Sequence, residues 1–206
     1  MESKVDDIIK DVVDNMNRVG QLLSLYKSLK KSPEFSSNSA ADDILRLSVV
    51  FIHSTLEECL RRLAIQLLPK ADKKILDKIP LMTKSGRAEK FALGSLAELK
   101  GKTIDEVIIK SIKNHYERSN FNNTMEINAL FRDLGIDVSK VKHLFSDLNN
   151  LMDRRHLIVH RADKARQLQE SADALVTIEP EEVIRWQEVV TEFCANVIVS
   201  ESNRLT

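Results

Sequence analysis

The residues best equipped for chemistry fall in one stretch, Asp153 to Asp163, reading DRRHLIVHRAD. Arg154 and Arg155 are followed by His156, His160 and Arg161, on a chain whose formal net charge is zero. Histidine titrates near neutral pH and exchanges protons, while a planar guanidinium grips two phosphoryl oxygens at once. Side by side, these residue types suit proton transfer at a phosphate held by a cation.

Spacing shows how such residues would be presented. Val141, Leu144, Leu148, Leu151, Arg155, Ile158 and Ala162 recur at alternating three- and four-residue steps, the pattern of one apolar stripe on a helix expected over Val138 to His160. Arg155 therefore takes a core position. Its guanidinium cannot shed its proton, so a carboxylate, carbonyls or an external anion must offset its desolvation. An internal ion pair is the plainest solution. His160 points about 140° away from Arg155 on a straight helix. Either the helix breaks near Val159, or two copies of the helix complete one site across a two-fold axis. His156 and His160 share a face with Asn149 and Asp153. A zinc site using both histidines with Asp153 or Asp163 is a third reading, but the Glu that follows the first His in metalloprotease helices is missing.

An Arg, a polar residue and a His four to six residues after the Arg, near the end of a helix in a helical chain, resembles the signature of HEPN domains. Arg155, His156 and His160 match it, and RRHLIVHRAD is similar to the RiboL-PSP-HEPN branch. The similarity extends from about Ile44 to the C-terminus, through LEECLRR, FRDLGI and EPEEVIRW, leaving residues 1–38 as an added N-terminal helix and loop. This resemblance implies an all-α HEPN-type bundle with additional short helices, pairing as a two-fold homodimer. It also implies a metal-independent endoribonuclease that needs no cofactor, leaves a 2',3'-cyclic phosphate, and serves as a toxin or antiviral-defence effector. An antitoxin or other regulatory protein would then hold it in check. Arg155, His160 and His156 become the catalytic set, with Glu57, Arg154 and Asp163 supporting. The 2'-hydroxyl makes RNA, not DNA, the substrate. Relatives regulated by nucleotidyl transfer carry a Tyr two residues beyond the motif His, where this chain has Ala162. A non-catalytic HEPN-like module that binds nucleotide or a partner protein is the alternative.

The remaining chain must position this stretch. With 206 residues, 43% hydrophobic and few Gly and Pro, it is expected to form one helical domain over residues 1–206. Zero net charge provides no global attraction to nucleic acid, so RNA contact depends on a local patch. Arg154, Arg155, Arg161, Lys164 and Arg166 form one, the last three as substrate-binding candidates. Lysines between Lys70 and Lys90 could also track an RNA backbone, although such runs are commonly solvated surface. No apolar run reaches the ~20 residues of a membrane helix, and the acidic start carries no apolar signal, so a cytoplasmic protein is expected. Cys59 and Cys194 fall within apolar patterns and are expected as reduced core thiols.

Periodicity and punctuation predict helices over about Ser3–Lys31 and Ser39–Leu68, the second stopped by Pro69. Shorter ones follow near Arg87–Lys100, Thr103–Arg118 and Thr124–Leu134, and a last one from Pro180 to Asn203. On the second helix, His53 and Glu57 stand on the flank of the apolar seam, able to reach Arg155 if the helices pack together. Glu57 would orient Arg155 or His160, or else be solvated near Arg61. Glu58 and Arg62 have the spacing of an exposed ion pair.

Overall fold

A computed structural model describes residues 4–33, 39–81, 94, 97–164 and 175–205. Among them the protein is all-α. Its helices are α1 (Lys4–Lys30), α2 (Ser39–Leu67), α3 (Lys73–Leu76), α4 (Ile104–Tyr116), α5 (Thr124–Leu134), α6 (Phe145–Arg161) and α7 (Pro180–Leu205). One isolated antiparallel bridge joins Lys164 to Leu175.

Local chemistry fixes most boundaries. Thr103 caps α4 through a box in which its hydroxyl accepts from the Glu106 amide and Glu106 reaches back to the Thr103 amide. Asn123 caps α5, and Gly135, at φ 68°, ends it in the left-handed conformation that glycine adopts freely. The α2 helix stops before Pro69, which sits in a short 3-10 turn over Leu68–Lys70.

The motif helix begins later than the apolar stripe predicts. Val138–Lys140 and Lys142–Leu144 are 3-10 turns, and regular α-helix starts only at Phe145. The Asp137 carboxylate takes the Ser139 amide and hydroxyl at 2.9 and 2.8 Å, and Val141 leaves the helical region at φ −124°. Val141 and Leu144 remain buried, so the stripe keeps its phase while the backbone tightens. The helix expected near Arg87–Lys100 lies largely outside the described residues, as do Lys84 and Lys90 of the 70–90 stretch.

The long helix α2 is the centre of the bundle. It packs against α1, α7, α6 and α4, with Leu45, Val49, Ile52, Leu56, Leu60 and Leu63 fully buried. Val183, Val190, Phe193 and Val197 supply the α7 side. At their junction Cys59 and Cys194 are buried free thiols, and a hydrogen bond with Cys59, together with burial, holds the Cys194 thiol well above its usual pKa. No described helix is long and apolar enough to cross a membrane.

Candidate functional site

Helix α6 runs unbroken through Val159 to Arg161, which removes the possibility that a kink aims Arg155 and His160 at one atom. Leu148, Leu151 and Met152 bury the first half of the helix. In the second half the stripe loosens: Arg155 and Ile158 are half-buried and Ala162 is exposed. Arg155 is thus a cation at the margin of the core and not inside it.

The face it meets belongs to α2. His53 is 1% exposed, deeper than its expected place on the seam's flank, because it continues the buried line of Val49, Leu56 and Leu60. Its Nδ1 lies 3.4 Å from Glu57 Oε1, and its Nε2 lies 3.4 Å from the Phe121 carbonyl. Burial, reinforced by the Arg155 charge, pushes the imidazole down to about 4. Burial raises the Glu57 carboxyl, opposed by Arg155 and Arg61. Glu57 is therefore no solvated surface carboxylate. Arg61 gives its Nη1 to Glu58 at 2.6 Å and its Nε and Nη2 to the Tyr116 and Ser119 carbonyls. His53 Nδ1, Glu57 Oε1 and Arg155 Nη1 are all buried without a hydrogen-bond partner. Glu58 does bond Arg62, at 3.0 Å, and Arg62 also pairs with Asp11, tying α2 to α1.

Arg154 and Asp163 are engaged elsewhere. Ala162 and Asp163 both take positive φ, 49° and 58°, and the Asp163 amide donates back to the Leu157 carbonyl at 3.1 Å. This double left-handed turn swings the Asp163 side chain inward, where it is 1% exposed. Its Oδ2 accepts from Arg46 Nε at 2.5 Å and from Arg154 Nη2 at 2.8 Å. Both arginines also donate to the Val176 carbonyl, and Arg46 reaches Asp43 at 3.1 Å. Arg46 is the member of this lock that its sequence position does not announce, although an arginine directly after the buried Leu45 is a usable signal. Such left-handed residues are disfavoured by about 1–2 kcal/mol each, and the ion pairs they enable offset that strain.

His156 and His160 are exposed, with ring centroids 4.8 Å apart and planes tilted by 47°. Asp163 is bonded to two arginines and so is not free to complete a metal site with them. Asn149, on the same face of α6, accepts from the Thr124 amide and anchors the start of α5. Arg161 and Lys164 are exposed beside the histidines in sequence. Arg166 lies outside the described residues.

A family model for RiboL-PSP-HEPN matches residues 13–199. The chain belongs to that family. The match extends well before Ile44, into α1, so the first helix is part of the family domain for most of its length. No curated protein and no solved structure matches the chain. HEPN membership places its function among RNA-cleaving or nucleotide-binding modules.

Proposed function

We propose that this protein is a metal-independent endoribonuclease, active as a homodimer in which Arg155 and His160 from two motif helices share one cleft. The observation that carries this reading is Arg155 itself. It is the motif arginine whose Nη1 is buried and unpartnered, while its neighbour Arg154 is committed to Asp163. A guanidinium whose Nη1 is buried without a partner is suited to a phosphate.

Each residue then has a task. Arg155 grips the scissile phosphate and the charge that builds on the phosphorane. His160, in the last turn of α6, serves as proton donor to the leaving 5'-oxygen. His156, one stacking distance away, orients or relays. Glu57 acts on Arg155 from behind. Arg161, Lys164 and Arg166 bind the flanking backbone. Because the helix is straight, one chain does not bring Arg155 and His160 together, and the two-fold pairing supplies the missing member. A toxin or antiviral-defence role, held by an antitoxin or regulatory partner in the cytoplasm, follows from the same reading.

The test is incubation of purified wild-type, Arg155→Ala and His160→Ala protein with mixed-sequence single-stranded RNA in excess EDTA, reading product ends. Cleavage by wild type alone, with 2',3'-cyclic phosphate ends, is the expected result. Nucleotide or RNA binding without turnover would replace the nuclease with a binding module. A strictly monomeric active species, by mass in solution, would overturn the shared cleft.

A further inference from the structure

The buried pair His53 and Glu57 has a consequence for Arg155 that begins with counting protons. A carbonyl oxygen only accepts, so His53 Nε2, facing Phe121 O, carries the ring hydrogen. A neutral imidazole has one N–H, which leaves Nδ1 with a bare lone pair. That lone pair faces Glu57 Oε1 at 3.4 Å, and both atoms are buried without another partner. Two acceptors held together out of water repel unless a proton sits between them.

We propose that His53 is a positioning residue that shares one proton with Glu57, holding the pair without net charge so that Arg155 stays an uncompensated cation for the RNA phosphate. The proton belongs to the pair. Written as acid and imidazole or as carboxylate and imidazolium, the net charge is zero. Were Glu57 ionised beside a neutral His53, its carboxylate would close on Arg155, and an entering phosphate would have to displace it. The charged groups acting on the pair are Arg155 from α6 and, on Glu57, Arg61 from α2 itself; from the segment before α5 comes only the Phe121 carbonyl. Burial acts in the same direction, lowering the imidazole and raising the carboxyl. Arg61 is already bonded to Glu58 and two carbonyls, so it is not a ready partner for Glu57.

This inference rests on the nuclease reading for its purpose but not for its test. Glu57→Gln keeps the carboxyl's shape without its charge, and its oligonucleotide affinity and cleavage set the level against which the His53 variants are read. His53→Phe removes the acceptor at Nδ1, lets Glu57 ionise against Arg155, and lowers both at least tenfold at pH 7.5. The double variant His53→Phe/Glu57→Gln recovers to within threefold of Glu57→Gln, a rescue that a merely structural His53 would not permit. Binding of an uncleavable 2'-deoxy-substituted oligonucleotide reads the same pattern whether or not the protein turns RNA over, so failure of the nuclease reading leaves this test intact. Independently, 15N-histidine NMR of wild type shows His53 as the Nε2–H tautomer or as imidazolium at pH 7.5, and 13C-glutamate NMR shows whether Glu57 is ionised. A neutral Nε2–H His53 beside a protonated Glu57, or imidazolium beside carboxylate, supports the pair. Neutral His53 beside ionised Glu57, or a double variant that is not rescued, overturns it.

Discussion

Two arginines adjacent in sequence meet opposite fates. Arg154 joins Arg46 on the Asp163 carboxylate, with Asp43 balancing the second cation and the Val176 carbonyl taking a bond from each guanidinium. Arg155, a helical step of about 100° away, faces among the described residues a weakly placed His53–Glu57 pair and keeps a buried donor unsatisfied. Even the lock leaves Asp163 Oδ1 and Arg154 Nε without partners, but its charges are matched at short range, whereas those around Arg155 are not. The first arrangement fixes the chain. The second stores an electrostatic need that a ligand can meet, which is how polar groups at functional sites commonly differ from those in scaffolds.

The largest expected effect comes from breaking the lock. Asp163→Ala leaves two guanidiniums facing each other in the interior and lowers stability by about 3–5 kcal/mol, measured by urea unfolding. Arg155→Ala, by contrast, removes an unsatisfied charge. It leaves stability within about 1 kcal/mol of wild type while cutting RNA cleavage about 10³-fold, equivalent to about 4 kcal/mol of barrier. Equal loss of stability and activity in the two variants would erase the distinction between them.

A pH series sharpens it further. His53 in the folded protein titrates near 4 against an ordinary value of 6.5, so the unfolded chain takes up a proton that the folded chain refuses. Stability present above pH 6.5 is therefore lost as pH falls towards 4, by about 3 kcal/mol. Glu57 works in the opposite sense: its raised carboxyl adds stability that is full below its ordinary 4.5 and fades as pH rises through the folded value. The His53→Phe variant should flatten the acid limb between pH 6.5 and 4, and unfolding midpoints at pH 7 and 5 check this. The smallest effect is expected at Arg161, which is exposed. Arg161→Ala should weaken RNA binding a few-fold, uniformly across sequences, and reduce the slope of log affinity against log salt by about 1.

Helix α5 was legible to the residue, because an Asn cap and a Gly stop bracket one clean apolar period. The same logic overreached at residues 138–144, where buried Val141 and Leu144 hold helical spacing while an Asp137 turn pulls the backbone into 3-10 geometry. Side-chain period reports which residues face inward, not which hydrogen bonds hold them. His53 lies deeper than the flank of the seam, because the Val49, His53, Leu56, Leu60 steps of four, three and four put it in the buried line. The Arg46–Asp163 contact was out of reach altogether. Its partners are 117 residues apart, and it depends on a left-handed turn at Ala162 and Asp163 that propensity disfavours and tertiary charge pairing imposes.

Cys59 and Cys194 give the protein a built-in clock. They are buried free thiols on α2 and α7, the two helices that meet at the centre of the bundle. A thiol reagent in solvent reaches them only when those helices part. Under native conditions the labelling rate therefore counts core openings, and its dependence on reagent concentration separates how often the core opens from how long it stays open. The same two side chains would time unfolding in every variant named above with no added probe.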